Sequence, residues 1–256
     1  QHPAIGIWNL GNEPDLFASP SSHELGRQWV AEMKRLVTSI DPEHPVTCGL
    51  HVESLQHDNG LRIGDVFGET DLAVMHGYPM YSDWSRGELD IWFVPFMCAL
   101  TAALCGKSTM AEEFGGCTAA PGEPSTTWEW TAFGHPRTQF MASEAEFAEY
   151  LEAVLENLLA TGSTGAMLWC FADYTEALWS EPPCDQAIHE RLFGLVRPDG
   201  SIKPHADVIR RFAARSPKVV EPNRPVALDV SHDEYYGAPR QHAERLYQAW
   251  ITRYGE

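Results

Sequence analysis

The sequence predicts an α/β fold, a parallel sheet with helices packed outside it at a spacing that suits a (β/α)8 barrel, although only five strands are visible. Two observations predict it. Short apolar runs of strand length alternate with longer helix-like segments, an alternation that produces parallel sheets. Polar and aromatic groups also recur where each apolar run ends, which is where (β/α)8 barrels carry their functional loops.

The first run, "AIGIWNL" from Ala4 to Leu10, reads as a buried strand, with Trp8 in the core. A helix is expected from about Ser22 to Ile40. Leu25, Trp29, Met33, Leu36 and Ile40 lie on one stripe, Trp29 is taken as core, and Asp41-Pro42 stops the helix. "PVTCGL" is the second strand, a helical piece near Leu61–Phe67 follows, and "DLAVMH" is the third strand. "FVPFMCALTAAL" reads as a buried helix ending at Gly106, before the fourth strand "STMAEEF". Residues 116–141 are expected to form a long aromatic loop. Ser143 with Glu146 three residues on is a capping-box signature for a helix to about Thr161. "TGAMLWCF" is the fifth strand, "RPDGS" a turn, and Lys203 to Ala214 a last amphipathic helix. Residues 1–215 thus form the barrel part. Residues 216–256 read as a proline-punctuated extension with a short helix from about Gln241 to Trp250.

A chain of 256 residues can bury a full core, and 44% apolar with 21% charged residues is ordinary globular composition. The formal net charge of −18 argues against nucleic acid and anionic membranes as partners and favours neutral or cationic ones. No apolar run reaches the roughly 18 residues of a membrane span. No signal peptide is visible at the N-terminus, and compartment stays unassigned. The six cysteines show no paired-ligand spacing, so free thiols are expected, with a Cys117–Cys170 disulfide left open. His51, Glu53, His57 and Asp58 match no metal-ligand pattern, so no metal is expected and His51 is assigned to the cleft. "His-Glu-Arg" at residues 189–191 reads as a structural ion pair.

The chemistry sits at the strand ends. Glu13 ends the first strand, His76 and Tyr78 the third, Glu112-Glu113 the fourth, and Trp169 lies on the fifth. Glycoside cleavage needs one carboxyl to protonate the departing oxygen, a second to attack or to activate water, and aromatic faces to hold the ring. Trp128 and Trp130, in the loop after the second glutamate pair, are candidate sugar platforms beside packing roles. Tyr81, Trp84, Trp92 and Trp179 are weaker ones.

Asn-Glu-Pro, His-Gly-Tyr-Pro, Glu-Phe-Gly and Leu-Trp follow these strands in fixed order between Ala4 and Pro204. In this the chain resembles the clan A glycoside hydrolases, and most of all glycoside hydrolase family 5 with its β-mannanase and β-mannosidase-like relatives. The resemblance implies a (β/α)8 TIM barrel whose strands four to eight are present. Those relatives carry an Arg and a His on strands before the Asn-Glu strand, and these are not in this chain. It further implies retaining hydrolysis of a β-glycoside, mannoside favoured, with Glu13 as acid/base and Glu113 as nucleophile. Glu112 is expected to point the other way along the strand. Asn12 would bind the sugar 2-hydroxyl, His76 would orient the acid/base or substrate, Tyr78 would donate to the nucleophile, and Trp169 would floor the subsite. An ionised Glu113 is expected to raise the pKa of Glu13 while itself staying charged. The partner is an oligosaccharide or polysaccharide, and no cofactor is required. Alternatives are a β-glucanase, a β-galactosidase, a transglycosylase, or a carbohydrate-binding fragment without turnover.

Overall fold

The computed structural model describes residues 2–255. In chain order the elements are β1 (Trp8–Asn12), α1 (Pro14–Phe17), α2 (His23–Ile40), β2 (Val46–Gly49), α3 (Glu53–Gln56), α4 (Ile63–Glu69), β3 (Ala73–His76) and α5 (Phe93–Cys105). They continue with β4 (Thr109–Gly115), β5 (Thr126–Ala132), β6 (His135–Met141), α6 (Glu144–Ala160), β7 (Ala166–Trp169), α7 (Pro204–Ala214), α8 (His232–Gly237) and α9 (Pro239–Tyr254).

β1 pairs in parallel with β2, and β3, β4 and β7 form a second parallel set. Backbone bonds join the sets: His76 N–H donates to Leu50 O and Val52 N–H to His76 O, each at 2.9 Å. The spatial order is therefore β1, β2, β3, β4, β7, an open arc rather than a closed barrel. The outer edges of β1 and β7 have no partner strand among the described residues.

That openness corrects two expectations. Trp8 and Trp29 are each 38% exposed, and Leu25, Leu36 and Ile40 on the same helix are also exposed. α2 instead buries Gly26 and Val30 as it lies on α4 and the first two strands. The apolar stripe thus faces away from this sheet, because β1 is an edge strand here.

α5 is buried almost all round, as its continuous apolar run requires, and ends where Gly106 takes the left-handed conformation. It sits between the sheet and α4 and α6, in one large cluster with Val74, Met75, Ala111 and Phe147.

Residues 126–141 are not a loop. β5 and β6 form an antiparallel hairpin closed by Phe133-Gly134, both at positive φ, the geometry of a type I′ turn. Trp128 and Trp130 alternate with the polar Thr127, Glu129 and Thr131 along β5, a strand signal that the aromatic content masked.

The segment after Ser216, expected as a proline-punctuated extension with a short helix, packs on the main core. Tyr235, Tyr247 and Trp250 are buried in the main cluster, and α9 is longer than expected. Tyr235 Oη donates to Leu55 O, Tyr236 Oη to Ser54 O, and Trp250 Nε1 to Arg224 O. α8 is nucleated by a capping box, Ser231 with Glu234. All six cysteines are free.

Trp250 packs on Trp92, Phe96 and Tyr254. Trp250→Ala is expected to cost about 3–5 kcal/mol of stability, as for other large-to-small core changes. Denaturant unfolding would show it, and an unmoved midpoint would mean that residues 216–255 are an independent appendage.

Candidate active site

The strands end around a cleft of about 350 Å³ lined by Asn12, Glu13, Leu16, His51, Tyr78, Tyr81, Glu113, Trp169, Glu190 and Phe193. Of the residues singled out in the sequence, Asn12, Glu13, His51, Tyr78, Tyr81, Glu113 and Trp169 meet here. His76 lies directly beneath, its side chain 1% exposed.

Glu13 leaves β1 in the left-handed region, φ 50°, ψ 48°, with its N–H donating to Gly49 O. This conformation is uncommon for a residue with a Cβ, and Pro14 follows at once as the first residue of α1. Together they turn the carboxyl back over the strand end. Tyr78 Oη donates to Glu113 Oε1 at 2.8 Å.

His76 binds carboxylates at both ring nitrogens. Nδ1 lies 3.2 Å from Glu13 Oε1 and Nε2 lies 3.1 Å from Glu112 Oε2, while Glu113 Oε2 is 3.8 Å from Nδ1. Glu112 therefore does not point away, contrary to strict strand alternation. Between β3 and β4 the register jumps from Met75↔Ala111 to His76↔Glu113, so two β4 residues face one on β3. That bulge turns both glutamates toward the same imidazole. Gly49 makes room: a Cβ there would lie 2.8 Å from Asn9 Nδ2 and 3.0 Å from His76 Nε2.

The electrostatics of the site shift the two glutamates in the opposite directions to those expected. Burial lifts the Glu13 carboxyl, but the His76 hydrogen bond and the His51 and His76 charges outweigh it, leaving it below the ordinary range. Burial also lifts Glu113, and His76 and Tyr78 do not fully offset it, so Glu113 stays above the ordinary range. The cause is geometric, since His76 touches Glu13 and not Glu113. Burial opposes charge on His76, yet hydrogen bonds to Glu112 and Glu13 and the Glu113 and Glu112 charges raise it to about 9.

His51 is fixed by Asp15. Both Asp15 carboxylate oxygens accept from His51 N–H, at 3.1 and 3.0 Å, and one accepts from Ser54 Oγ at 2.8 Å. His51 Nδ1 accepts from Glu53 N–H, so the neutral ring carries its proton on Nε2. Burial lowers its pKa and favours that neutral form.

The structure does not bring every candidate together. Trp128 lines a separate cavity with Trp179, Asp173 and Lys203. Trp130 donates to Gln186 O and packs on His189, outside the cleft. The hairpin carries both rings away from the strand ends. Trp84 is buried against Phe93, Phe96 and Tyr247, and Trp92 lies on Trp250, as packing residues do. His57 pairs with Glu53, while Arg191 caps the Trp179 ring and donates to Cys184 O and Trp179 O. Leu16, Glu190 and Phe193 line the cleft without having been singled out for it. Glu190 lay within the "His-Glu-Arg" stretch read as purely structural. Glu13, His76 and Glu113 each offer a ligand atom within 4.8 Å of the others. His76 already spends both nitrogens on carboxylates, so this donor set does not suit a resident metal.

No family model matches the sequence. The chain is 26% identical over 194 residues to mannan endo-1,4-beta-mannosidase 4 of Oryza sativa subsp. japonica, covering 65% of this chain and 36% of that protein. It is 30% identical over 187 residues to putative mannan endo-1,4-beta-mannosidase 9 of the same plant, covering 65% and 41%. The chain thus spans well under half the length of these relatives. In fold it is similar to GH5_18 from Streptomyces cattleya, solved in complex with Manβ1-4GlcNAc, with a TM-score of 0.71 and 15% identity over 96% of this chain and 59% of that one. It is also similar to the exo-beta-1,4-mannosidase of Opitutaceae bacterium strain TAV5, with a TM-score of 0.64 and 22% identity over 82% and 36%. In sequence and fold the chain is thus similar to clan A glycoside hydrolases and is glycoside hydrolase family 5-like.

Burial pushes the Asp15 carboxyl from 3.8 up to about 6, against its hydrogen bonds from His51 and Ser54. The folded state holds this proton more tightly than the unfolded chain, so stability is lost as pH rises from 3.8 through about 6. Asp15→Asn is expected to flatten that part of the stability–pH curve, measured by urea unfolding. Parallel curves for variant and wild type would contradict the assignment.

Proposed function

We propose that this chain carries the reaction centre of a retaining β-glycosidase acting on β-mannosides, with Glu113 as nucleophile and Glu13 as acid/base. The observation that carries the reading is the carboxyl spacing. An oxygen of Glu13 and one of Glu113 lie within 4.8 Å of each other. One oxygen pair this close accords better with the roughly 5–5.5 Å carboxyl separation of retaining enzymes than with the about 6.5–9.5 Å of inverting ones. The preference for mannoside rests on the substrates named for the relatives.

In this reading Glu113, oriented by the Tyr78 hydroxyl, attacks the anomeric carbon while Glu13 gives its proton to the departing oxygen. Asn12 binds the 2-hydroxyl, His51 Nε2–H offers a donor to a sugar oxygen, and Trp169 presents a face to the ring. Esterification removes the Glu113 charge, Glu13 then takes a proton from water, and the water releases the sugar. The Glu13 carboxyl lies below the ordinary range and Glu113 above it, so the acid role calls for Glu13 to be lifted on binding. Bound sugar that excludes water from Glu13 acts in that direction by desolvation.

A 2-deoxy-2-fluoro-mannoside with a good leaving group is expected to add one glycosyl mass to the peptide containing Glu113. A label on another residue, or turnover undiminished in Glu113→Ala, would remove the assignment. Glu13→Gln should lower kcat by about 10²–10⁴-fold on a poor leaving group, the usual worth of a general acid. It should slow glycosylation by a dinitrophenyl mannoside far less, since that leaving group needs no proton. Equal losses on both substrates would argue against Glu13 as the acid.

A further inference from the structure

Building on that reading, we propose that Glu112 is a positioning residue for the reaction. Anchored by Asn9, its carboxylate holds His76 as a doubly protonated cation under the cleft, so that Nδ1–H stays donated to Glu13.

Donor counting supports this. Carboxylate oxygens lie 3.2 Å from His76 Nδ1 and 3.1 Å from Nε2. A neutral imidazole has one N–H, and its bare nitrogen would face an anionic oxygen lone pair to lone pair. With both carboxylates ionised, both nitrogens must carry protons. No solvent is at hand to relieve a mismatch, because the ring is 1% exposed.

Glu112 is held for this task. Asn9 Nδ2 donates to Glu112 Oε2 at 3.0 Å, the same oxygen that His76 Nε2 binds. Asn9 Oδ1 accepts from Gly49 N–H and Gly11 N–H, each at 3.0 Å, so β1, β2 and β4 share the anchor. Glu112 is not among the residues that line the cleft. Its effect must pass through the ring.

The other groups around His76 are accounted for. Glu13 faces it from the β1–α1 junction, Glu113 from β4, His51 from beyond β2, and Tyr78 from its own loop. Cys48 on β2 is neutral, its thiol pushed by burial to about 12. None of these replaces the contact at Nε2. The upward shift of His76 to about 9 agrees in direction with the donor count.

The test is an NMR titration of the His76 ring in ¹⁵N-histidine-labelled chain, its resonance identified by its absence in His76→Gln. Native protein should keep both ring nitrogens protonated at neutral pH and titrate near 9. Glu112→Gln should move that transition at least tenfold in proton affinity towards acid, with Glu112→Asp between the two. On an aryl mannoside, Glu112→Gln should lower kcat at least tenfold with little change in KM, partly restored in Glu112→Asp. A native ring titrating at or below the ordinary 6.5, or an unmoved transition in Glu112→Gln, overturns the proposal. If Glu112→Gln does not fold, the native titration and Glu112→Asp decide it. The NMR arm needs no turnover, so a chain that cleaves no mannoside fails the functional reading while leaving this one to its own result.

Discussion

The contact on which the site depends is the imidazole of His76 set between Glu13 and Glu112, with Glu113 just beyond hydrogen-bond reach. Three carboxyl groups converge in a chain whose net charge is −18, and no lysine or arginine lines the cleft. Like charges at this spacing repel strongly in a partly dry environment. A buried cation bonded at both ends is what lets the three stand together.

Each constraint around His76 comes from backbone. The register jump in β4 brings two consecutive glutamates to one side, the left-handed turn at Glu13 folds a carboxyl back over its own strand, and Gly49 leaves space for Asn9 and the ring. Behind this frame the buried α5 and the aromatic residues of α8 and α9 supply the apolar mass. α8 reaches the site at one remove. Tyr235 and Tyr236 bond to the carbonyls of Leu55 and Ser54, and Ser54 donates to the Asp15 that clamps His51.

Much of this was legible in the sequence. The five parallel strands follow from apolar runs of strand length, and the cleft residues follow from polar groups at their ends. Features that depend on a neighbour were not. Strand alternation predicts opposite faces for Glu112 and Glu113, and only pairing with β3 reveals the bulge. The α2 stripe of Leu25, Trp29, Leu36 and Ile40 has helical periodicity, but periodicity alone does not say whether anything lies against it. Residues 126–132 hid a strand because their aromatics drew attention away from their alternation. The packing of the C-terminal extension on the core was not legible, because its buried tyrosines and tryptophan are too widely spaced to read as one core face. The directions in which the Glu13 and Glu113 carboxyls are shifted were not legible either, because they depend on burial and on which of the two hydrogen-bonds His76.

Tyr78 belongs to two environments. Its hydroxyl bonds Glu113, while its ring packs with Cys117, Met141 and Phe193 in a small apolar cluster separate from the main core. Phe193 meets the Tyr78 ring edge-on at 6.2 Å and also forms part of the cleft wall. The basicity of a carboxylate is thereby tied to the fit of hydrocarbon surfaces. A change of packing behind the tyrosine would therefore be felt at Glu113 through the hydrogen bond that joins them. In this protein, packing and acidity are two measurements of the same wall.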